Sequence, residues 1–295
     1  MKNGPQSYLK ENALHGTKTF PAGFYTTLVP QHVQNMLIHW HEEMEIGRMS
    51  GGSLYYDVDR ARYEVKAGDF LLIGPDTLHA FHQIPGQDAS TDSVVFHLSL
   101  MGLDTDDGCT RRYVEPLRDG TLRFPPVIRP EDPYYAQISQ CFDELWSCRE
   151  SGHPYRELQF KTQSFVLLHL LWQLSVGTVQ DLPTRPFRQY EDKLKLALTY
   201  IQEHYAEPIT IKQLADTCGF SQVHFMNIFK AAIGATCIEY LIEYRLTRAA
   251  MDLQETEHSI MQIALDNGFQ NISYFNRAFK QQYAMTPTAF RRQAR

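Results

Sequence analysis

The sequence predicts an α+β protein of two domains: an N-terminal antiparallel β-barrel or sandwich followed by two helices, then an all-α C-terminal domain. Three observations carry this prediction. Short apolar runs broken by turn residues fill residues 20–100, helical periodicity begins near residue 131, and a segment that starts at residue 211 recurs at residue 260. Closely spaced turns are typical of barrels and sandwiches, and apolar residues three and four positions apart are typical of helices. The predicted boundaries are 1–130 for the β domain, 131–177 for the helical pair, 178–190 for a linker and 191–295 for the C-terminal domain.

The composition argues against a membrane protein and against a disulfide framework. The 295 residues are 43% hydrophobic and 21% charged, which is ordinary for a globular protein. No apolar run reaches the roughly 18 residues that cross a bilayer, and the N-terminal segment lacks the apolar core of a secretory signal. The five cysteines are scattered without a C-x-x-C pair, which suits free thiols in a reducing compartment. We therefore expect a cytoplasmic protein with no membrane partner.

The β-domain prediction depends on three runs rich in β-branched, aromatic and leucine residues: Leu37–His41, Leu54–Val58 and Phe70–Ile73. Glycine, proline, serine and aspartate clusters separate these runs, and no helical spacing occurs between them. The runs are therefore predicted to be strands of one antiparallel barrel or sandwich.

Residues 131–177 show two apolar stripes at helical spacing, separated by a Gly152-His153-Pro154 breaker. They predict two antiparallel helices. The stripes fit either a homodimer interface or packing wholly onto the barrel. Two prolines and little periodicity in residues 178–188 indicate the linker.

An internal repeat is the strongest signal in the sequence. IKQLADTCGFSQVHFMNIFK at 211–230 matches IMQIALDNGFQNISYFNRAFK at 260–280, with offsets of 49 positions before the Gly-Phe pair and 50 after it. Each copy has an alanine where two helices approach, a glycine for a sharp turn, and phenylalanines at i and i+4 of the second helix. This is the pattern of a helix-turn-helix unit, whose second helix keeps one face free for a DNA major groove.

Capping residues support the helix starts predicted from the repeat. Thr210-x-x-Gln213, Thr236-x-x-Glu239 and Ser259-x-x-Gln262 read as capping boxes, and Thr286-Pro287 reads as a cap followed by a first-turn proline. Between the copies, apolar residues from Ile238 to Leu253 predict a connecting helix of roughly 17 residues, about 25 Å long. The basic and acidic residues from position 191 onward are equal in number, so this domain lacks the net positive charge common in DNA-binding domains.

Residues 191–295 resemble the DNA-binding domain of the AraC/XylS family of transcription regulators. The resemblance implies a cytoplasmic regulator, not an enzyme, with double-stranded DNA and the transcription machinery as partners. By motif, it places base and phosphate contacts on the second helix of each unit. The residues implied are Gln222, Val223, His224, Met226, Asn227 and Lys230 in the first unit, and Asn271, Ile272, Ser273, Asn276, Arg277 and Lys280 in the second. Family members often carry arginine where Asn227 stands, so we expect the strongest base contact from Arg277, since arginine pairs best with guanine.

A second constellation lies in the β domain, where His39-x-His41-x3-Glu45 precedes Gly68-Asp69, Pro75 and His79. Even offsets put His39, His41 and Glu45 on one face of a strand, because side chains alternate along it. The spacing resembles the two cupin motifs, and also the effector-binding domain of many AraC-type regulators. Three imidazoles and a carboxylate suit zinc, iron, nickel or manganese, so a divalent metal is a candidate cofactor.

The resemblance also implies a small-molecule effector inside the barrel. Tyr55 and Phe81 are predicted to offer stacking surface for a sugar-like effector beside the histidines. Three alternatives stay open: a polar pocket without metal, a metal-dependent cupin enzyme fused to a DNA-binding domain, and a metal or redox sensor that uses the cysteines. The cysteine scatter argues against the last.

Overall fold

In a computed structural model, the described residues up to 175 form one compact unit and those from 188 onward form another. The structure describes residues 15–30, 35–58, 61–103, 107–150, 152, 154–175 and 188–293. Most of the predicted linker lies outside this set. Its last three residues, 188–190, open a helix instead.

The N-terminal unit contains eight strands within its described residues. They are β1 (Ala22–Val29), β2 (Asn35–His39), β3 (Met44–Val58), β4 (Ala61–Lys66), β5 (Phe70–Ile73), β6 (His79–Gln83), β7 (Ala89–Phe96) and β8 (Val127–Ile128). Phe70–Ile73 is a strand with the predicted bounds, and Leu54–Val58 is the last third of a longer one. The run predicted to end at His41 ends at His39, because the chain turns before β3 begins.

The long strand β3 belongs to two sheets, which together make the predicted antiparallel sandwich. Its first half pairs with β5 and β7, in a sheet ordered β1-β7-β3-β5-β8. Its second half pairs with β4 and β6, and β6 also pairs with β2. The register with β7 shifts between Met49 and Gly51, as a β-bulge does, so one strand bends from one sheet into the other.

One face of the first sheet is covered by helices. Short helical segments span Leu98–Met101, Thr110–Val114 and α1 (Glu115–Arg118), followed by α2 (Tyr135–Ser147) and α3 (Arg156–Ser175). Side chains alternate across the strands, so Ile46, Phe70 and Phe96 pack against the helices while Leu71 and Ile73 pack between the sheets.

Helices α2 and α3 are antiparallel, as predicted. The Cys148 carbonyl accepts from Arg156, the Glu144 carboxylate from Gln159, and the Gln163 carbonyl from the Cys141 thiol. The residue numbers of the bonded partners rise along α3 as they fall along α2, so the two helices run in opposite directions.

The apolar stripes of α2 and α3 pack on the sheet of their own chain. Ile138, Phe142 and Leu145 of α2 and Leu168 of α3 lie in one buried core with strand residues. Burial within one chain therefore explains the periodicity that also fitted a dimer interface. On the rim, Arg48 of β3 donates to Asp143 of α2 over 2.7 Å.

The C-terminal unit is all-α, as predicted. Its helices are α4 (Arg188–His204), α5 (Ile211–Cys218), α6 (Gln222–Ile233), α7 (Cys237–Glu255), α8 (Ile260–Asp266), α9 (Ile272–Tyr283) and α10 (Pro287–Gln293). Helices α5–α6 and α8–α9 are the two helix-turn-helix units, and α7 connects them. Phe275 and Phe279 of α9 share a buried core with Ile263 of α8 and Leu253 of α7.

Two of the three predicted capping boxes form completely. The side chains of Thr210 and Thr236 accept from the third helical residue, whose own side chain accepts in return. The box predicted at Ser259 is wrong in one half: Ser259 caps α8, but the Gln262 amide bonds to Asp266 instead.

The change of offset between the repeats has a structural cause. Ser221 follows the first Gly-Phe pair directly and is the N-cap of α6, whereas Gln270 intervenes before Asn271, the N-cap of α9. The turn of the second unit is therefore longer by one residue.

Among the described residues, no single helix is long and apolar enough to cross a membrane; only α6 and α7 together reach that length and hydropathy, as a pair bent by 55°.

Candidate functional site

Three histidines meet inside the sandwich. His39 ends β2 and faces His79, the first residue of β6, in the strand register, while His41 lies in the turn before β3. The three side chains are 4%, 1% and 0% exposed for His39, His41 and His79. One nitrogen from each lies within 4.8 Å of the others, and these residues could hold a metal ion. The sequence prediction that these three imidazoles converge is confirmed.

Backbone carbonyls orient all three rings in the same way. The Nδ1 atoms lie 2.9 Å from the Leu37 carbonyl for His39, 3.0 Å from the Glu43 carbonyl for His41 and 2.8 Å from the Thr77 carbonyl for His79. Because a carbonyl only accepts, each Nδ1 must donate, and a neutral ring then carries its lone pair on Nε2. Histidines that ligate metals in proteins are oriented by the same kind of bond.

His79 is held in its neutral form. Burial lowers its pKa well below the usual value, and the neighbouring His39 and His41 lower it further. Its Nε2 is buried and has no hydrogen-bond partner among the described residues. An unpaired buried nitrogen is costly, so this atom fits a ligand position better than a structural one.

Glu45 joins the histidines at one side. It is the second residue of β3, nearly buried, and its Oε2 lies 3.3 Å from Nε2 of His41. If His41 is neutral, these two atoms are both acceptors, and only a proton or a cation makes their approach favourable. The predicted three-histidine, one-carboxylate set thus comes together, although the chain turns between His41 and Glu45 rather than running as one strand.

The two predicted aromatic residues separate. Phe81 stacks on Tyr56 with ring centroids 5.3 Å apart, and its ring lies 6.3 Å from that of His79. Tyr55 is placed on the opposite face of its strand, which corrects its assignment to the effector site. Tyr56 points into the core, so its neighbour Tyr55 must point out.

The outer face around Tyr55 carries an ion cluster of its own. Arg62 lies over the Tyr55 ring and pairs with Asp57, which His82 also contacts at 3.1 Å. Burial raises the pKa of the Asp57 carboxyl, but the contacts with Arg62 and His82 outweigh it and hold this pKa well below its usual range. His82 directly follows Phe81 on β6, and side chains alternate along a strand, so His82 belongs to this outer surface and not to the histidine cluster.

Sequence reasoning missed one residue that lies beside the histidine cluster. His15 is buried, its ring centroid is 6.0 Å from that of His41, and its Nδ1 lies 2.7 Å from the hydroxyl of Tyr25 on β1. No spacing links it to the histidines of β2 and β6, which are more than twenty positions away. Only the fold brings it there.

The predicted DNA-contacting residues of both units lie on exposed surface. On α6 the buried residues are Phe225, Ile228 and Phe229, and on α9 they are Phe275 and Phe279. The residues predicted from the resemblance occupy the exposed faces of α6 and α9 or, for Asn271, the exposed cap: Gln222, Val223, His224, Met226, Asn227 and Lys230 in the first unit, and Asn271, Ile272, Ser273, Asn276, Arg277 and Lys280 in the second.

Several of these side chains already have contacts within the unit. His224 packs edge-on against Phe220 and Tyr190, with centroids 5.0 Å and 5.8 Å away. The Asn271 side chain accepts from the Tyr274 amide over 2.9 Å, so its oxygen serves the helix cap and is engaged before any base is met. Arg277 lies over the ring of Tyr274.

A buried cluster of histidines in one unit and two helix-turn-helix units in the other define a class: DNA-binding transcription regulators with a separate ligand-binding domain. Residues 23–190 match the family described as the AraC-like ligand binding domain, and residues 210–293 match a helix-turn-helix domain family. The chain belongs to the AraC family of DNA-binding transcription regulators. The family consists of regulators rather than enzymes, which answers the enzyme alternative.

The similarity to some known proteins covers nearly the whole chain. The uncharacterised helix-turn-helix regulator YdeC of Bacillus subtilis is 24% identical over 287 residues, which cover 96% of each protein. The MmsAB operon regulatory protein of Pseudomonas aeruginosa is 25% identical over 265 residues, 90% of this chain and 77% of that one. Among solved structures, an AraC-type regulator from Chromobacterium violaceum is 31% identical and covers 35% of this chain and 93% of its own, with a TM-score of 0.34.

Proposed function

We propose that DNA binding by this regulator is controlled by a small-molecule effector that binds at the histidine cluster of the sandwich. The supporting observation is the convergence of three buried imidazoles whose Nδ1 atoms all face backbone carbonyls. Burying Nε2 of His79 costs free energy, because this nitrogen has no hydrogen-bond partner among the described residues. A ligand that contacts this nitrogen recovers the cost.

The same observation supports a divalent transition metal as part of the site. His39, His41 and His79 would each offer an Nε2 lone pair, and the Glu45 carboxylate would supply a negative charge. Neutral imidazoles suit zinc, nickel and iron, and three protein nitrogens leave room for further ligands. A bound metal would attract hydroxyl or carboxylate oxygens, and Phe81 would offer an apolar ring beside them, as a sugar-like effector requires.

Metal binding is tested with Co²⁺ added to the purified full-length chain, because its visible absorption reports coordination. We expect one ion per chain in the wild type and loss of binding in His79→Ala. His82→Ala is the matched control, since His82 lies on the same strand but on the outer ion cluster. Circular dichroism checks that each variant is folded. A wild type that takes up no ion, or equal losses in both variants, would refute the metal site.

Control of DNA binding needs a separate measurement. A target sequence is first selected from random double-stranded DNA with the full chain, and its affinity is then measured with and without Zn²⁺ and a panel of sugars. We expect at least one of these to change the affinity or the footprint of the wild type and not of His79→Ala. Binding at the histidine cluster with no change in affinity for DNA or in footprint would overturn the proposed control.

The proposal also includes a cytoplasmic location, a homodimer and the transcription machinery as a partner. All five cysteines are free and four of them are buried, which fits a reducing cytoplasm. Homodimers suit paired DNA half-sites, and α3 keeps Leu158 and Val166 exposed at 67% and 40% on its outer side. These two residues are the candidates for contact with a second copy: Leu158 is a member of the predicted α3 stripe that stays exposed, whereas the buried members of the stripes pack within the chain. A regulator of this kind acts on the transcription machinery.

A further inference from the structure

The recognition helix of the second unit carries an aromatic residue one turn before its arginine. The guanidinium carbon of Arg277 lies 5.5 Å from the ring centroid of Tyr274, within the range of a cation–π contact. The two residues are three positions apart, which places them side by side on a helix surface. The tyrosine ring is 37% exposed and Arg277 is exposed, so this contact lies at the surface predicted to meet DNA.

The tyrosine is itself held in place from two directions. Its backbone amide donates to the Asn271 side chain over 2.9 Å, which fixes the first turn of α9. Its ring lies 6.3 Å from that of Phe269, which is buried in the core of the unit. Tyr274 is therefore a surface ring anchored to a rigid core.

We propose that Tyr274 is a positioning residue for base recognition, holding the Arg277 guanidinium ready for a guanine edge. The inference rests on the proposed role of Arg277 in base readout. A free arginine side chain loses rotamer freedom when it binds, and a planar guanidinium on an aromatic face has already lost part of it. The in-plane N–H groups stay available for the two acceptors that guanine presents in the major groove.

The first unit provides an internal comparison. His224 stands at the position equivalent to Tyr274, and it likewise packs against the phenylalanine of its Gly-Phe pair, here Phe220. One turn later this unit has Asn227 in place of arginine. An aromatic ring at this position thus occurs in both units, but only the second unit has a guanidinium above it.

The test is a double-mutant cycle on the full chain. Wild type, Tyr274→Leu, Arg277→Ala and the double variant are measured on the selected DNA target and on targets altered at each base pair. A surface cation–π contact corresponds to a change of about 2- to 5-fold. We expect Tyr274→Leu to reduce the preference for guanine by that factor at the base pair that Arg277→Ala identifies, with no further reduction in the double variant.

Two control variants separate positioning from structure. Tyr274→Phe keeps the ring and should retain the wild-type base preference, and His224→Leu should not alter the preference at the Arg277 base pair. If Tyr274→Leu weakens binding equally for all targets, with or without Arg277, its role is structural and the inference fails. If Arg277→Ala changes no base preference, the proposed readout by Arg277 fails first. If only Arg277→Ala has an effect, the readout stands and the positioning role of Tyr274 is refuted.

Discussion

At the scale of single residues, we expect the exposed face of α9 to separate base contact from phosphate contact. Arg277 and Lys280 are both exposed on this helix, and only Arg277 has an aromatic neighbour beneath it. Arginine presents a planar fork of donors that matches guanine, whereas lysine is a point charge suited to phosphate. The two side chains should therefore respond differently to substitution.

We expect Arg277→Ala to lose about 1–3 kcal/mol of specific binding and to relax the preference at one base pair. Lys280→Ala should instead weaken binding to all sequences. It should also reduce the slope of the logarithm of affinity against the logarithm of salt concentration by about one. Fluorescence anisotropy on matched DNA targets at several salt concentrations measures both. A uniform loss in Arg277→Ala would mean that this residue contacts phosphate.

Residue-level prediction succeeded where spacing carries chemistry and failed where tertiary contacts decide. His39, His41 and His79 could be predicted because their residue type and spacing are unusual for a buried strand. The assignment of Tyr55 to the effector site was wrong. Tyr55 and Tyr56 are adjacent on a strand and cannot both face inward, and the sequence does not say which one does. His15 had no signal at all, since its place beside His41 is made by the fold.

At the scale of elements, the helix-turn-helix repeat was predicted closely because each local preference agrees with the fold. Alanine, glycine, phenylalanine and capping residues all specify the same helices. The strands were predicted less well. Gly51 and Gly52 were interpreted as a break between two strands, whereas β3 runs through them and bends at a bulge into both sheets.

The glycines of the two turns are expected to differ in their tolerance of alanine. Gly219 and Gly268 both adopt positive φ, at +67° and +80°, a conformation that costs other residues about 1–2 kcal/mol. A Cβ on Gly219 would meet nothing within 4 Å, whereas one on Gly268 would lie 2.8 Å from the Tyr205 carbonyl oxygen. Gly268→Ala should therefore lower the free energy of unfolding by more than Gly219→Ala does.

The three tryptophans allow the unfolding of the two units to be followed separately. Trp40, Trp146 and Trp172 all precede the C-terminal unit, so their fluorescence follows the sandwich and its helices alone. In urea, we expect Gly268→Ala to shift the transition seen by circular dichroism while the fluorescence transition stays in place. Equal shifts for the two glycine variants would contradict the steric explanation.

At the scale of the whole molecule, the proposed dimer depends on a small apolar surface. Leu158 and Val166 lie two turns apart on the exposed side of α3. Charges placed there would have to be desolvated on association, so Leu158→Glu with Val166→Glu should give a monomer. Sedimentation at high micromolar concentration measures this, with Leu196→Glu on α4, a leucine 53% exposed, as the control. A monomeric wild type would remove the dimer from the proposal.

Strand β3, which crosses from one sheet to the other, also fixes the distance between the histidine cluster and a contact with the helices. Glu45, beside His41, and Arg48, bonded to Asp143 of α2, are three residues apart on β3. At about 3.3 Å per residue, some 10 Å of continuous strand backbone links the residue beside the histidine cluster to the residue bonded to α2. The proposed effector, if it contacted the Glu45 carboxylate, would therefore be connected to α2 through one strand segment, without an intervening loop.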